Sequence, residues 1–332
     1  MWENNPLYIN MYFITKSVII MYDSINFRLT RDKVSGIDFM EQTACYLDNL
    51  SEHHFNNGET VLSGSLGNLK VTVNRCQMKV KNGSFCKWYL GDNFQTMGRS
   101  DIQRAIEKLS DTLHLPMQKA TISRLDIAQN FITKHPPEVY LNHLGSLRYA
   151  KRLQAPNGLY YIQTDGKLCF YDKKREQKNK GEPIPELYEG RNVLRYEQRY
   201  TKRIASHLEV PEVTGVLLYD EAFYIKLLNG WRDAYISIQK INDVSLNFGM
   251  MKTKQELYKM GILSLVERSG GLIQMIEQIG EGQKRGELTN KQAYDLRQAI
   301  NEACKIKEGL TVPNDAIIEL DKKIKDAVKF YR

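Results

Sequence analysis

No Cys-x-x-Cys pair occurs among Cys45, Cys76, Cys86, Cys169 and Cys304. An odd, scattered set signals neither a disulfide framework nor a zinc ribbon, and it fits a reducing cytoplasm. The six histidines include no His-x-His and no His-Glu-x-x-His, so a histidine-based metal site is not supported. His135 and His207 are expected as exposed loop or helix residues. Long apolar runs are also missing. Ser17-Val-Ile-Ile-Met21, bounded by Lys16, is too short for a signal peptide or a membrane span, so no membrane partner is expected. Low-complexity tracts and internal repeats are absent, which sets aside disordered and solenoid classes.

What is present suits a soluble globular protein with a full core: 42% of the 332 residues are hydrophobic and 26% charged. The formal net charge of +8 favours a polyanionic partner, because Lys and Arg release counterions condensed on nucleic-acid phosphates. Strand-like alternation recurs over 25–29, 69–73, 78–80, 122–131, 159–171 and 193–200, punctuated by Asn56-Asn-Gly58, Asn82-Gly83 and Asp165-Gly166. Helical periodicity falls between these groups at 100–113, 137–147 and 211–228. The expected class is α+β, a central antiparallel sheet flanked by helices. Beyond residue 240 the pattern is helical only, at 252–265, 271–279, 290–307 and 314–330, and Thr289-x-x-Gln292 forms a capping box for the third of these. The expected organisation is a leader over 1–20, a main unit over 21–240 and a helical subdomain over 241–332. Met21 stands as an alternative start to Met1.

Three strand segments carry polar groups that a packed strand does not need. In Ile122-Ser-Arg-Leu-Asp-Ile-Ala-Gln-Asn-Phe131, alternation places Leu125 and Ile127 on one face and Arg124 and Asp126 on the other. A mid-strand carboxylate is either paired with an arginine or bound to a cation, since a lone buried charge is costly. Val193-Leu-Arg-Tyr-Glu-Gln-Arg199 repeats the arrangement, with Arg195, Glu197 and Arg199 opposite Leu194 and Tyr196. Two acids from separate strands can hold Mg²⁺ or Mn²⁺ together with water and phosphate oxygens; a salt-bridge ladder on a solvated face is the competing explanation. In Leu168-Cys-Phe-Tyr-Asp-Lys-Lys-Arg-Glu176, alternation projects Tyr171 and Lys173 to one side, where a cation would favour phenolate and make the tyrosine a nucleophile. A strand-end tyrosine over lysine stems is the plainer alternative.

These segments, in this order, resemble the filamentous-phage gene II/gene X replication initiators and their plasmid relatives. Lys87-Trp-Tyr-Leu-Gly-Asp-Asn93 fits Lys-x-x-x-Gly-x-Asn, and Ile122-Ser-Arg-Leu-Asp126 fits Ser-Arg-(Ile/Leu)-Asp. Tyr171-Asp-Lys-Lys-Arg-Glu176 fits Tyr-x-Lys-x-x-Glu, and Leu194-Arg-Tyr-Glu-Gln-Arg199 with Arg203 fits (Val/Leu)-Arg-(Tyr/Phe)-Glu-x-Arg followed by a further Arg. The resemblance covers about residues 21–219.

It implies a fold akin to the HUH nickases, without their paired histidines. It makes Tyr171 the residue joined covalently to DNA, assisted by Lys173, with Asp126, Glu197 and Glu176 as ligands of Mg²⁺ or Mn²⁺. Glu176 is either a third ligand or a partner of Lys173. Arg124, Arg195, Arg199, Arg203, Lys87 and Asn93 become the expected DNA-contacting residues, with Trp88 and Tyr89 either stacking extruded bases or packing in the core. The implied activity is rolling-circle initiation: a nick at an origin, a 5′-phosphotyrosine, a 3′-hydroxyl primer and later rejoining. The implied setting is the cytoplasm of a bacterial host, and the implied partners are origin DNA, a host helicase and a single-strand-binding protein. A mobilisation or conjugative relaxase would share the chemistry, whereas a non-catalytic DNA-binding regulator would need only the basic face.

Overall fold

A computed structural model describes residues 21–245, 249, 252–306 and 310–329, so the expected leader over 1–20 lies outside the described residues. The chain forms an α+β structure around a ten-stranded antiparallel sheet. Its strands are β1 (Tyr22–Thr30), β2 (Asp48–His54), β3 (Thr60–Leu66), β4 (Leu69–Val73), β5 (Gln77–Lys81), β6 (Thr121–Thr133), β7 (Lys151–Ala155), β8 (Gly158–Ile162), β9 (Gly166–Asp172) and β10 (Asn192–Tyr200). Their spatial order is β2-β3-β4-β5-β1-β6-β10-β9-β8-β7. The three segments singled out by their polar residues, β6, β10 and β9, are therefore consecutive. The two-stranded β11 (Asp243–Val244) and β12 (Thr311–Val312) form a separate ribbon.

The helices are α1 (Phe39–Ala44), α2 (Phe85–Leu90), α3 (Arg99–Leu113), α4 (Pro137–Asn142), α5 (Lys173–Asn179), α6 (Ile204–His207), α7 (Glu221–Ile236), α8 (Lys254–Arg268), α9 (Leu272–Lys284), α10 (Asn290–Cys304) and α11 (Asp315–Lys329). The helix expected over 211–228 instead starts at Glu221, where the Asp220 carboxylate accepts from the Phe223 N–H at 2.8 Å. Upstream, Gly215 is pressed against the 116–120 turn so closely that a Cβ would lie 2.7 Å from the Met117 carbonyl oxygen. Gly215 has right-handed helical angles and opens a short 3₁₀ turn over Val216–Tyr219, and the extended Asp220 separates that turn from α7. The expected strand over 159–171 is two strands, β8 and β9, broken at 163–165.

The core lies on one face of the central strands. Tyr196 in β10 faces Phe170 in β9 directly, their rings stacked at 4.4 Å, and Trp231 of α7 stacks on Tyr196 at 4.6 Å. The Tyr196 hydroxyl donates to the Trp231 carbonyl at 3.0 Å, so its buried polar end is satisfied.

Of the C-terminal helices, α8, α9 and α10 close around their own cluster of Val266, Ile279, Ala293 and Ile300. The Thr289–Gln292 capping box is formed. By contrast, α11 buries Ala316, Ile317, Leu320 and Ile324 in the main core, and Tyr235 donates to Asp321 at 2.7 Å. α11 therefore packs on the main unit and α8–α10 on one another, because the amphipathic stripe of α11 finds its apolar partner there.

Candidate active site

Residues directly opposite in neighbouring strands share a face. The register pairs Arg199 with Asp126, Glu197 with Ala128 and Arg195 with Asn130 across β10 and β6. Across β10 and β9 it pairs Arg195 with Tyr171 and Glu197 with Cys169. One face of three adjacent strands thereby gathers Asp126, Glu197, Arg195, Arg199 and Tyr171. The small neighbours Ala128 and Cys169 flank Glu197, leaving room for both arginines to fold onto it.

This face is buried as completely as the apolar one. Arg195 is 0% exposed and Glu197 and Asp126 are each 1% exposed. Arg195 donates through Nε to Glu197 Oε1 at 2.6 Å and through Nη1 to the Asn93 carbonyl and to Asn130 Oδ1, each at 3.1 Å. Its Nη2 lies 2.9 Å from Asp23 Oδ2. Arg199 holds Glu197 Oε2 through Nε at 2.7 Å and also through Nη2, and its Nε stands 3.7 Å from Asp126 Oδ2. Arg124 grips Asp126 with a two-point fork at 2.9 and 2.5 Å. The patch thus contains three carboxylates, Asp23, Asp126 and Glu197, against three guanidiniums. That balance is what makes so many buried ions tolerable.

The Tyr171 hydroxyl donates to Glu197 Oε1. Burial, then the adjacent Glu197 charge, pushes the phenol well above its ordinary range, with Arg195 opposing. Burial would raise Glu197, but Arg195 and Arg199, with the phenol's hydrogen bond, hold it down at about 2. Asp126 goes the other way, pushed up to about 6 by burial that Arg124 and Arg199 only partly offset. Tyr171 is therefore a neutral phenol hydrogen-bonded to a weakly basic carboxylate.

Lys173 was expected beside Tyr171 but does not share its strand face. The Asp172 side chain accepts from the Arg175 N–H at 3.0 Å and caps α5, so helix begins at Lys173 and the two-residue strand repeat ends. Its buried ammonium donates to Asn93 Oδ1 at 3.0 Å and Glu176 Oε2 at 2.9 Å, and burial lowers its pKa. Glu176 also pairs with Lys180. Glu176 thus belongs to a separate lysine-centred cluster. Asn93 joins the two clusters, its carbonyl accepting from Arg195 and its side chain from Lys173.

Of the expected DNA-contacting residues, Arg195 and Asn93 are buried within this network and so are closed to a backbone phosphate, while Arg124, Arg199, Arg203 and Lys87 keep exposed surface. Arg203 pairs with Asp165 and Lys87 with Glu182. Trp88 is half-buried and stacks on Phe85 at 5.4 Å, with Lys108 above it.

Two residues of this centre were missed. Asp23, which also accepts from Ser84 Oγ at 2.8 Å, lies where plain alternation from Ile25 and Phe27 would put an apolar residue. A register shift between Tyr22 and Ile25 turns it to the polar face. Gly158 pairs with Tyr171, and a Cβ there would sit 2.6 Å from the Phe170 carbonyl oxygen and 2.9 Å from Tyr171 Cβ. Only glycine allows that approach, and no sequence signal marked it.

Asp126 and Glu197 offer oxygen donors of the kind Mg²⁺ or Mn²⁺ takes. The three-carboxylate centre does not fit this arrangement. Glu176 is in the other cluster, every oxygen of Asp126 and Glu197 is engaged by arginine or phenol, and the patch has no excess negative charge. Among the described residues, no group of three or more His, Cys, Asp or Glu converges as a metal cage.

The family model for the N-terminal part of the replication-associated gene II protein of phages matches residues 21–231, more than half of the chain. The chain belongs to that family. No curated protein matches it. The matched span contains all ten strands of the sheet and with them the buried charged face, and it ends inside α7, before α8–α11. Among the described residues no helix is long and apolar enough to cross a membrane. Membership makes this a phage-type replication-associated protein.

Proposed function

We propose that the chain initiates rolling-circle replication by nicking one DNA strand through Tyr171. The observation that supports this most is the direct hydrogen bond from Tyr171 to Glu197 inside a charge-balanced arginine cluster. A purely structural sheet face would not need that cluster. Tyr171 Oη attacks phosphorus, the Tyr–O–P bond forms as the P–O3′ bond breaks, and the leaving oxygen takes a proton to become the 3′-hydroxyl. Arg199, whose side chain is 23% exposed, is the guanidinium that can turn from Glu197 to an arriving phosphate. Losing that partner raises the basicity of Glu197, which then accepts the phenol proton. The substrate thus arms its own base. Arg195, closed to solvent, stays behind to orient Glu197.

The 3′-hydroxyl primes synthesis on a circular template, and its counterpart after one round can attack the tyrosyl link and release a circle. That cycle calls for origin DNA, a helicase and a single-strand-binding protein in a bacterial cytoplasm.

The test is to incubate the protein and Tyr171→Phe with supercoiled origin DNA in Mg²⁺, Mn²⁺ or EDTA. The wild type is expected to give nicked circles carrying protein on the 5′ end, and the variant none. Equal nicking by both overturns the assignment. The EDTA arm reads the metal requirement separately, since no step of the proposed reaction runs through a cation: nicking that persists in EDTA fits the arginine-held centre, and nicking lost in EDTA and restored by added cation brings a cation into the reaction.

A further inference from the structure

On the reverse side of β10 lies a cleft of about 760 Å³ walled by Gln198, Tyr200, His207, Asn229, Gly230 and Arg148. Its size is that of a small-molecule site. Gln198 sits between Glu197 and Arg199 in sequence, so its side chain points away from the catalytic face. It is 7% exposed, and its Oε1 is buried with no partner among the described residues; Asn229 Oδ1 is in the same condition. Buried amide oxygens without partners are costly and rare, and two of them line one cleft. Arg148, exposed at the rim, is 4.6 Å from the Tyr149 ring and has no carboxylate partner among the described residues. His207 and Tyr200 present rings with centroids 5.1 Å apart.

We infer that this cleft binds a nucleotide whose base carries an exocyclic amino group, as adenine and cytosine do. The two unpartnered amide oxygens, Gln198 Oε1 and Asn229 Oδ1, are acceptors that match an amino group, which thymine lacks. The His207 ring supplies a stacking surface and Arg148 a phosphate contact. The ligand is either a free mononucleotide or one nucleotide of a single strand, and its seat on Gln198 bears on the strand whose other face carries Glu197 and Arg199.

Gly230 provides a clean way to block the cleft. It has helical backbone, and the nearest atom to a Cβ there is the Tyr200 hydroxyl at 3.7 Å, so a larger side chain enters the cleft without a backbone clash. The experiment measures binding of dAMP, dCMP and TMP, and of short oligo(dA), oligo(dC) and oligo(dT), to the full chain and to Gly230→Ala, Gly230→Leu and Arg148→Gln by calorimetry. We expect dAMP or dCMP, free or within the oligomer, to bind about 10-fold tighter than its thymine counterpart. That preference persists in Gly230→Ala and disappears in Gly230→Leu, whereas Arg148→Gln weakens all the ligands alike and keeps the preference, because a phosphate contact does not read the base. Preference among mononucleotides identifies a free ligand, and preference among oligomers alone identifies a strand. Equal binding of all three bases overturns the proposal, as does no binding or an undiminished preference in Gly230→Leu. Arg148 is exposed, so its variant keeps the test valid if Gly230→Leu fails to fold: affinity for dAMP and dCMP undiminished in Arg148→Gln overturns the proposal.

Discussion

The two faces of β6, β10 and β9 are equally dry and chemically opposite. One buries Phe170, Tyr196 and Trp231 in stacked contact; the other buries Asp126, Glu197, Arg195 and Tyr171. The apolar face is stabilised by removal from water, and its residues are exchangeable for others of like volume. The charged face gives up hydration that its ion pairs only balance, and such a cluster is commonly no more stable than apolar packing in its place. A fold that carries both spends stability on the second face for something other than folding. Here that is a phenol held against a carboxylate whose basicity depends on where two arginines are bonded.

Replacing Tyr171, the proposed nucleophile, separates the faces most strongly. Tyr171→Phe should lower nicking by roughly 10⁴-fold or more while circular dichroism shows an intact fold, because only one hydrogen bond is removed. Glu197→Gln and Trp231→Ala should each lose about 3–5 kcal/mol of stability, the first by leaving Arg195 buried without its partner and the second by opening a cavity. They differ in activity. Nicking per folded molecule, measured below the melting temperature of both, should survive in Trp231→Ala and vanish in Glu197→Gln; loss in both would mean that the faces are not separable.

Gly158→Ala sharpens the comparison at the strand beside Tyr171. Its Cβ would press on Tyr171 and the Phe170 carbonyl, so a loss of about 1–3 kcal/mol in thermal melts should accompany a drop in nicking. The pH dependence gives a smaller effect. Asp126 titrates near 6 when folded against an ordinary 3.8, so its protonation stabilises the fold below the lower value, and that contribution is lost as pH rises through about 6. Between pH 5 and pH 8 the wild type should lose about 1 kcal/mol more than Asp126→Asn in denaturant titrations. Arg203→Ala should leave the thermal melt unmoved, since the Arg203–Asp165 pair is solvent-screened.

The sheet strands β4, β6 and β10 were legible because alternation and β-branched residues survive in them. The strand β2 was not: Asp48–His54 is exposed along its whole length at the sheet edge, so no burial wrote a pattern into it. The central pairing of Glu197 with Arg195 and Arg199 could be read from one strand's alternation, and its adjacency to Asp126 could be expected once two such strands were found. Asp23 escaped because a bulge reverses strand parity, and Lys173 was misplaced because a helix cap ended the repeat one residue after Tyr171. Local alternation carries only as far as the local geometry that produces it. The return of α11 to the main core was equally silent, since an amphipathic stripe names no partner.

The most direct test of the charged face as a nicking centre is to digest the protein–DNA adduct with nuclease and protease and map the modified peptide by mass spectrometry. The account predicts a deoxynucleotide linked through its 5′ phosphate to Tyr171. A nucleotide on any other residue, or nicked DNA with a free 5′ phosphate and no adduct, would contradict it.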